Sequence, residues 1–429
     1  MKNIIQPVKG TRDFYPKEKA VLSWLYANMR EVSEAFGYQE YDGPFLEPID
    51  LYAAKSGEEL VKEQAFVFPD RSKKLITLRP ELTPTLTRMV AQRQQQLHYP
   101  LRWWSFGPFW RYESPQKGRA REFFQWNIDL LGVDSPEADA ELAAVMASFF
   151  KKVGLAPSQV QVMINNRRLV DEQLGKLEIP LEKRGQVFRL IDKREKMKEA
   201  NWEAYAEDKG LTPNQLDGLK AMLTNHSLWE ESEELVRFFE AVDALGIREY
   251  LQYAPHIIRG LDYYTGTVFE AQAVTADIQR AVLGGGRYDN LLADVGGDPL
   301  PGVGFAMGDM VIAIILEELG LLPKDRDAAP AKVMVTVFNE ATLLPAYSLA
   351  AELRQAGLKV FCYPEAQKLG KQFKHAGRIG SRVAVILGPD ELDNNIVAVK
   401  DLETRKQAFV PRQEVAIYIK NLLDDASAS

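Results

Sequence analysis

The stretch from Ile257 to Gln272, IIRGLDYYTGTVFEAQ, concentrates side chains that can bind a polar ligand. Arg259, Asp262, Tyr263 and Tyr264 lie around two glycines there. Glycine tolerates positive φ and lets another group approach the backbone closely. The clustered donors and acceptors suit either a ligand site or a polar hairpin with a structural Arg–Asp pair, and the stretch alone leaves both open.

A second candidate is the segment ITLRPELTPTLTRMV, from Ile76 to Val90. Its Thr83-Pro84 pair predicts that a helix begins directly after the end of a strand. Glu81 lies at that junction, where a helix dipole stabilises a carboxylate. Glu81 is therefore either a capping acid or a carboxylate for a substrate ammonium, to which Thr83 would add a hydroxyl.

Two aromatic-rich strands are predicted between Leu101 and Gly132, separated by a basic polar loop from Glu113 to Arg121. Such a loop suits phosphates, whether of a nucleotide or of RNA. Arg111 ends the first strand, from which it can reach an anionic ligand. The second strand alternates between apolar and polar residues, and a polar ligand can supply the partners that a buried polar face needs. Its polar residues are Gln125, Asn127 and Asp129.

Composition limits the classes of protein that fit this chain. Its 429 residues suffice for two or three domains. The single cysteine, Cys362, excludes an internal disulfide and a Cys-based zinc site, and the four histidines are too far apart to predict a metal pair. We expect a cytoplasmic location, because no apolar run reaches the roughly 18 residues of a membrane span and the N-terminus lacks a signal pattern. The net charge of −7 argues against a nonspecific nucleic-acid coat, but permits a local basic face.

Apolar periodicity predicts the elements that position these residues. An amphipathic helix is expected over residues 17–37, and Pro44 and Pro48 suit an edge strand or a rigid turn. Residues 165–252 are charged and helix-prone, which is also typical of a solvated scaffold. After a linker beginning near residue 320, strands and helices alternate, which predicts a small α/β domain with a mixed sheet.

A basic face is predicted in this last part of the chain. Basic residues recur there mainly at steps of three and four, which is helical spacing. They are Lys368, Lys371, Lys374, Arg378 and Arg382. The pattern fits an RNA footprint and a solvated charged face equally well.

Several motifs together resemble the histidyl-tRNA synthetases, a family of class II aminoacyl-tRNA synthetases. Arg111, the loop from Glu113 to Arg121 and Gln125 resemble motif 2, and RGLDYYTG resembles the histidine-specific signature. KGTRDFYP, LRPELT and GGGRYD match other landmarks of the family, while a looser motif 1 centres on Pro44. The resemblance extends from Lys9 to about Leu422.

This resemblance implies an α+β fold. An antiparallel class II sheet with flanking helices would occupy residues 1–324, with a helical insertion at about 165–252 that touches the tRNA acceptor arm. A C-terminal α/β anticodon-binding domain would occupy 331–424, which favours RNA for the basic face. The implied reaction activates L-histidine with ATP to histidyl-adenylate and transfers it to the 3′ end of tRNA(His). The resemblance also implies Mg²⁺ with the triphosphate, a homodimer, no membrane, and no metal held by the protein itself.

The resemblance further implies roles for individual residues. Arg111 and Arg259 would be catalytic, one on each side of the α-phosphate. The histidine-binding residues would be Glu81, Thr83, Gln125, Asp129, Arg259, Tyr263 and Tyr264. The ATP-binding residues would be Arg111, Arg119, Arg259 and Gly304. The tRNA-binding residues would be Gln116, Lys117, Lys371, Lys374 and Arg378.

Three positions depart from the family pattern. Val311 stands where motif 3 normally has an arginine for the triphosphate, Ser114 replaces a usual arginine, and Asp129 replaces a usual glutamate. A competing interpretation is the synthetase-like, non-catalytic regulatory subunit of ATP phosphoribosyltransferase, which senses histidine. That class usually lacks the C-terminal domain and degrades the RGLDYYTG motif, whereas this chain retains both.

Overall fold

The computed structural model describes residues 4–53, 63–194, 197–258, 263–274, 281–290, 292–323 and 330–424. The chain divides into two compact units, Met1–Pro323 and Lys324–Ser429. The described helices are α1 (Pro16–Ala35), α2 (Asp50–Ala53), α3 (Thr83–Arg93), α4 (Pro136–Lys152), α5 (Arg167–Lys176), α6 (Leu181–Asp192), α7 (Glu199–Asp208), α8 (Pro213–Thr224), α9 (Glu233–Ala244), α10 (Asp309–Glu318), α11 (Leu343–Gln355), α12 (Leu369–Arg378), α13 (Pro389–Asp393) and α14 (Val415–Asp424). Within the described ranges, no helix is both long and apolar enough to cross a membrane.

The strands form three sheets. In chain order they are β1 (Gln39–Glu40), β2 (Leu46–Pro48), β3 (Phe66–Pro69), β4 (Leu75–Leu78), β5 (Leu101–Trp110), β6 (Glu122–Leu131), β7 (Val160–Asn166), β8 (Leu251–Tyr253), β9 (Thr267–Ala273), β10 (Ala281–Tyr288), β11 (Gly302–Gly308), β12 (Val333–Val335), β13 (Val360–Cys362), β14 (Val383–Ile386), β15 (Ile396–Asp401) and β16 (Gln407–Pro411).

An eight-stranded sheet in the order β1-β5-β6-β11-β10-β9-β7-β8 is the centre of the first unit. Its strands pair antiparallel except at the two edges, where β1 with β5 and β7 with β8 are parallel. The predicted fold class, an antiparallel class II sheet with flanking helices, is confirmed.

Helices cover one face of this sheet. The alternation predicted for β6 is present, because Trp126 and Ile128 are fully buried in the main core. Residues of α1, α4 and α10 belong to the same core, among them Met29, Phe149 and Ile312. Burial of such large apolar side chains is the main stabilising term for a sheet face of this kind. The polar residues of β6 therefore face the opposite side.

A separate three-stranded sheet follows the order β2-β4-β3. Pro48 ends the edge strand β2, as expected for a residue that cannot donate to a ladder. Glu47 and Thr77 point inward and are buried. Leu46 and Phe68 lie on the other face and remain 47% and 39% exposed. This sheet therefore presents an apolar face to the outside of the chain.

Helices α5 to α9 lie between β7 and β8, in the part of the chain predicted to be helical. Local signals explain where they begin. Asn166 caps α5 by accepting from the backbone N–H groups of Arg168 and Leu169, and Thr212 forms a capping box with Gln215 at α8. Apolar residues of these helices, including Trp202 and Phe238, join the main core.

The second unit is a five-stranded mixed sheet in the order β13-β12-β14-β15-β16. Helices α11 and α14 pack on one face through a cluster that includes Leu349 and Ile419. Helix α12 lies on the other face, where Ala376 packs with Met334 and Tyr363. The predicted α/β alternation is present, but the sequence did not predict α13 or the edge strand β16. Both are only five residues long, too short for periodicity to reveal them.

Candidate active site

The open face of the eight-stranded sheet has a floor with very small side chains. On β11 this face carries Gly302, Gly304, Ala306 and Gly308, which pair with the polar-face residues of β6. A Cβ at Gly304 would collide with Asp129 Oδ1 and lie 2.7 Å from the carbonyl oxygen of Ile128. Glycine is therefore required where the Asp129 carboxylate crosses β11.

The Asp129 carboxylate lies in a buried aromatic pocket above this floor. Tyr288 at the end of β10 donates a 2.6 Å hydrogen bond to Asp129 Oδ1. Trp103 of β5 is paired with Asp129 of β6. The centre of the Tyr41 ring lies 5.2 Å from that of the Trp103 ring. Burial raises the pKa of Asp129 to about 7, and the Tyr288 hydrogen bond opposes that rise. The pocket thus holds a carboxylate that can ionise near neutral pH.

Tyr288 was missed as a site residue, although it lies in the GGGRYD motif. The alternation of β10 places it on the open face, opposite Gly302 of β11. In a strand, every second residue lies on the same face, and this alternation could have placed Tyr288 on the open face. It could be applied only once β10 was known to be a strand of this sheet.

Four other predicted amino-acid-binding residues, Glu81, Thr83, Tyr263 and Tyr264, lie together beside this pocket. The Tyr263 hydroxyl shares hydrogen bonds with Thr83 and Tyr264. Burial is the main cause that raises the pKa of Tyr263 well above its usual value, and the neighbouring Tyr264 hydroxyl and Glu81 carboxylate add to the rise. Glu81 is buried and precedes α3, whose N-cap position is Leu82 without a side-chain cap. Glu81 is therefore placed toward the tyrosines and does not occupy the cap position.

A cleft of about 270 Å³ adjoins the Gln125 end of β6. Its lining includes Arg111, Arg119, Gln125 and Gly308, while Gly304 lies apart from it beneath Asp129. The Arg111 side chain is held by a 2.9 Å hydrogen bond from its Nε to the carbonyl oxygen of Pro80, one residue before Glu81. Two arginines in a cleft make it suited to an anionic ligand.

The loop between β5 and β6 forms a tight turn at its tip. Backbone hydrogen bonds join Gln116 and Arg119 in both directions, and Gly118 has a φ of +75°. Arg119 pairs with Glu113 at 2.7 Å, and Lys117 pairs with Glu318 of α10 at 2.8 Å. Both basic residues are thus paired with acids. A phosphate group that binds either residue would have to displace its acid.

At position 311, where the family pattern has an arginine, the cleft is lined by a valine. Val311 is buried and would lie 3.3 Å from a Cβ at Gly118, so it presents methyl groups to the cleft. Nearby, Asp309 accepts a 2.9 Å hydrogen bond from the backbone N–H of Phe124 and forms a 2.9 Å ion pair with Arg12. Arg12 belongs to the KGTRDFYP motif, so this motif is attached to the wall of the cleft.

Two further predictions fall outside this cluster. Arg259 lies outside the described residues, so its role stays a prediction. Lys371, Lys374 and Arg378 are exposed on α12 in the second unit, as a basic face requires. Arg382 follows the helix and instead pairs with Asp401 at 3.4 Å.

Two family models match this chain, one in each unit. The histidyl-tRNA synthetase family model matches residues 10–310, and an anticodon binding domain model matches residues 332–422. A chloroplastic/mitochondrial histidine–tRNA ligase of Arabidopsis thaliana is 36% identical over 415 residues, which cover 94% of this chain and 84% of that protein.

Solved structures show the same architecture. The crystal structure of histidyl-tRNA synthetase from Nostoc sp. PCC 7120 matches with a TM-score of 0.83 and 26% identity, covering 98% of this chain and 100% of that chain. A Bacillus halodurans structure, described as an ATP phosphoribosyltransferase regulatory subunit/histidyl-tRNA synthetase, matches with a TM-score of 0.72. It covers 87% of this chain and 97% of that chain, but its 21% identity shows the fold alone. Since the family model spans well over half of the residues and the plant relative is similar along nearly all of them, the chain belongs to the histidyl-tRNA synthetase family.

Proposed function

We propose that this chain is a histidine–tRNA ligase. The carboxylate of L-histidine attacks the α-phosphorus of ATP, which gives histidyl-adenylate and releases pyrophosphate. The terminal ribose hydroxyl of tRNA(His) then attacks the adenylate carbonyl and releases AMP. One observation carries the proposal: residues from the LRPELT, motif 2 and RGLDYYTG segments converge on the glycine floor next to an arginine-lined cleft.

The amino-acid side of the site suits the polar groups of histidine. Glu81, Thr83 and Gln125 would hold the ammonium group, which needs acceptors only. Asp129 would accept the imidazole N–H, because a carboxylate cannot donate. Tyr264 would donate to the other ring nitrogen, and Tyr263 would line the pocket. Support comes from the contacts among the tyrosines, Thr83 and Glu81 and from the buried Asp129 carboxylate.

The phosphate side of the site works by charge neutralisation and alignment. Arg111 would contact the α-phosphate from the cleft, and Arg259 would approach it from the other side. Arg119 would bind the distal phosphates after leaving Glu113. Gly304 remains a candidate for the ATP site, and Gly308 in the cleft lining is a second.

Mg²⁺ would arrive with the triphosphate and neutralise part of its charge. The ion would be held mainly by phosphate oxygens. Glu113 and Asp309 are the carboxylates in the cleft lining that could meet it.

The tRNA would contact two separate regions. Gln116 and Lys117 at the loop tip would meet its acceptor end, and Lys371, Lys374 and Arg378 would meet the anticodon part. The match to an anticodon binding domain and the exposure of these α12 residues support the second contact. With the domain limits proposed from the sequence, the catalytic domain would be residues 1–324 and the anticodon-binding domain would be residues 331–424.

The chain would act as a homodimer in the cytoplasm. The outward face of the three-stranded sheet supports the dimer, because exposed apolar patches of this kind mark protein interfaces. The lone buried thiol of Cys362 suits a reducing compartment.

Exchange of labelled pyrophosphate into ATP tests the catalytic function. Exchange should require L-histidine, and Arg259→Ala should reduce it about 10²-fold or more, because an arginine at the α-phosphate stabilises developing charge. Histidine binding without any exchange would instead support a histidine-sensing regulatory subunit.

A further inference from the structure

A charged cluster joins the helical region to the histidine side of the site. Arg168, at the start of α5, forms an ion pair with Glu234 of α9. Its other terminal nitrogen contacts Asp289 Oδ2 at 2.9 Å. The same Asp289 oxygen accepts a 2.6 Å hydrogen bond from Thr265 Oγ1. Residues separated by up to 121 positions in the chain thus meet at one carboxylate.

The neighbours of this cluster are the tyrosines of the proposed amino-acid site. Thr265 directly follows Tyr264, and Asp289 directly follows Tyr288, which holds Asp129. The Thr265 N–H also donates to the carbonyl oxygen of Arg287 at 2.8 Å. Asp289 therefore fixes the turn that carries one tyrosine and the strand end that carries the other.

Arg168 determines where Asp289 can lie. Both acids that it contacts are only partly exposed, with 36% and 23% of their side-chain surface accessible. Without the guanidinium, two carboxylates would face each other, and Asp289 would keep only Arg287, 3.6 Å from its Oδ1, as a cationic partner. The carboxylate would then turn toward water and release Thr265.

We infer that Arg168 is a positioning residue for histidine recognition, because it ties Asp289, and through it the Tyr264 turn and Tyr288, to the helices of residues 167–244. This inference rests on the proposed amino-acid site. Arg168 touches no reacting atom, so its loss should act on histidine binding more than on ATP binding.

Helix α9 offers a matched control. Arg237 lies on the same helix as Glu234 and forms two hydrogen bonds with Glu137 of α4, at 3.0 and 2.9 Å. Its side chain is 46% exposed, close to the 40% of Arg168. Arg237→Met therefore removes a comparable ion pair of the same helical region without touching Asp289.

The experiment measures KM for histidine and for ATP by pyrophosphate exchange, together with Tm, for five variants. They are Arg168→Met, Arg168→Lys, Thr265→Val, the Arg168→Met/Thr265→Val double variant, and Arg237→Met. Arg168→Met should raise the histidine KM by about tenfold and leave the ATP KM within about twofold. Arg168→Lys should recover part of the loss, and Arg237→Met should resemble the parent.

The double variant tests whether the two residues act through one contact chain. Because they share Asp289, its histidine KM should be no higher than that of the worse single variant. The inference would be overturned if the two substitutions multiplied their effects on the histidine KM in the double variant. An unchanged histidine KM in Arg168→Met, or an equal rise in Arg237→Met, would also overturn it. Failure of the parent chain to exchange at all would reject the proposed function instead. If Arg168→Met does not fold, Thr265→Val and Arg168→Lys still give the same comparison.

Discussion

Asp129 is a single residue under two opposing demands. Recognition of an imidazole N–H needs an ionised carboxylate, whereas burial favours the protonated form. Burial raises its pKa from 3.8 to about 7, so the native state keeps a proton that the unfolded state has already lost. By linkage, this group lowers the stability of the fold as pH rises from about 4 to about 7.

Asp129→Asn should therefore separate binding from stability. The amide is neutral at every pH, so the variant should be more stable than the parent at pH 8, by roughly 2 kcal/mol, and closer to it at pH 5. Its histidine affinity should fall by about 1–3 kcal/mol, because an amide is the poorer acceptor. Unfolding free energies at both pH values, with histidine and ATP titrations, check this. Parallel pH profiles for the two proteins would show that folding does not raise the pKa of Asp129.

The glycine beneath Asp129 gives a second test at this scale. Gly304→Ala introduces a methyl group that collides with Asp129 Oδ1, so the carboxylate must move. We expect the histidine KM to rise at least about tenfold. Gly308→Ala is the matched change, since its Cβ would meet no described heavy atom within 4 Å. It should spare histidine affinity even if ATP binding changes, and equal effects on histidine from both variants would contradict the collision.

Residue types could be predicted from the sequence more readily than their partners. Motif spacing indicated Glu81, Thr83, Asp129 and Tyr264, because these lie in short segments with recognisable patterns. The Asp129–Tyr288 bond links positions 159 apart, and no local pattern contains that information. The same limit applies to Arg12 and Asp309, which are 297 positions apart.

At the scale of elements, helix α12 is the part most open to experiment. Charge reversal at Lys371 and Lys374 should weaken aminoacylation and flatten its dependence on salt, because fewer counterions are released on tRNA binding. Pyrophosphate exchange measured without tRNA should not change.

Lys420→Glu supplies the control for that experiment. Lys420 is exposed on α14, which packs on the opposite face of the same sheet. The Lys420→Glu variant should have nearly the same KM for tRNA as the parent. A similar loss in this variant would point to a general charge effect and remove α12 from the RNA-binding surface.

Long elements with clear periodicity were predictable, and short ones were not. The ten-residue β6 shows three apolar–polar alternations in a row, from Phe124 to Asp129. The edge strand β16 extends to Pro411, and the final helix begins four residues later, at Val415. A five-residue edge strand has too few residues for its pattern to stand out from a loop.

At the scale of the whole molecule, the exposed face of the three-stranded sheet predicts the assembly. Phe68→Glu places a charge in an apolar face that a second copy would cover, so it should shift the protein toward monomers and reduce activity. Sedimentation velocity and pyrophosphate exchange across a range of protein concentrations measure both effects. A monomeric parent chain, or a fully dimeric variant, would place the interface elsewhere.

Arg79 shows how such an interface can reach the site. Its guanidinium is fully buried between the rings of Phe45 and Phe109, each 4.6 Å away, and it pairs with Asp42 at 2.5 Å. Its backbone lies two residues before Glu81. Arg79 therefore connects Phe45, which directly precedes β2 of the apolar face, to the segment that carries Glu81.

The glycine floor has a consequence for inhibitors and for resistance to them. A compound lying on β11 would meet bare peptide groups at Gly308, because Tyr288 covers Gly302 and Asp129 covers Gly304. Resistance mutations usually shorten or replace a side chain that contacts the drug. A glycine has no side chain to shorten, so a mutation at these positions can only add atoms. At Gly304 any added atom meets Asp129, so a resistance mutation at that position would also displace the carboxylate that we propose recognises histidine.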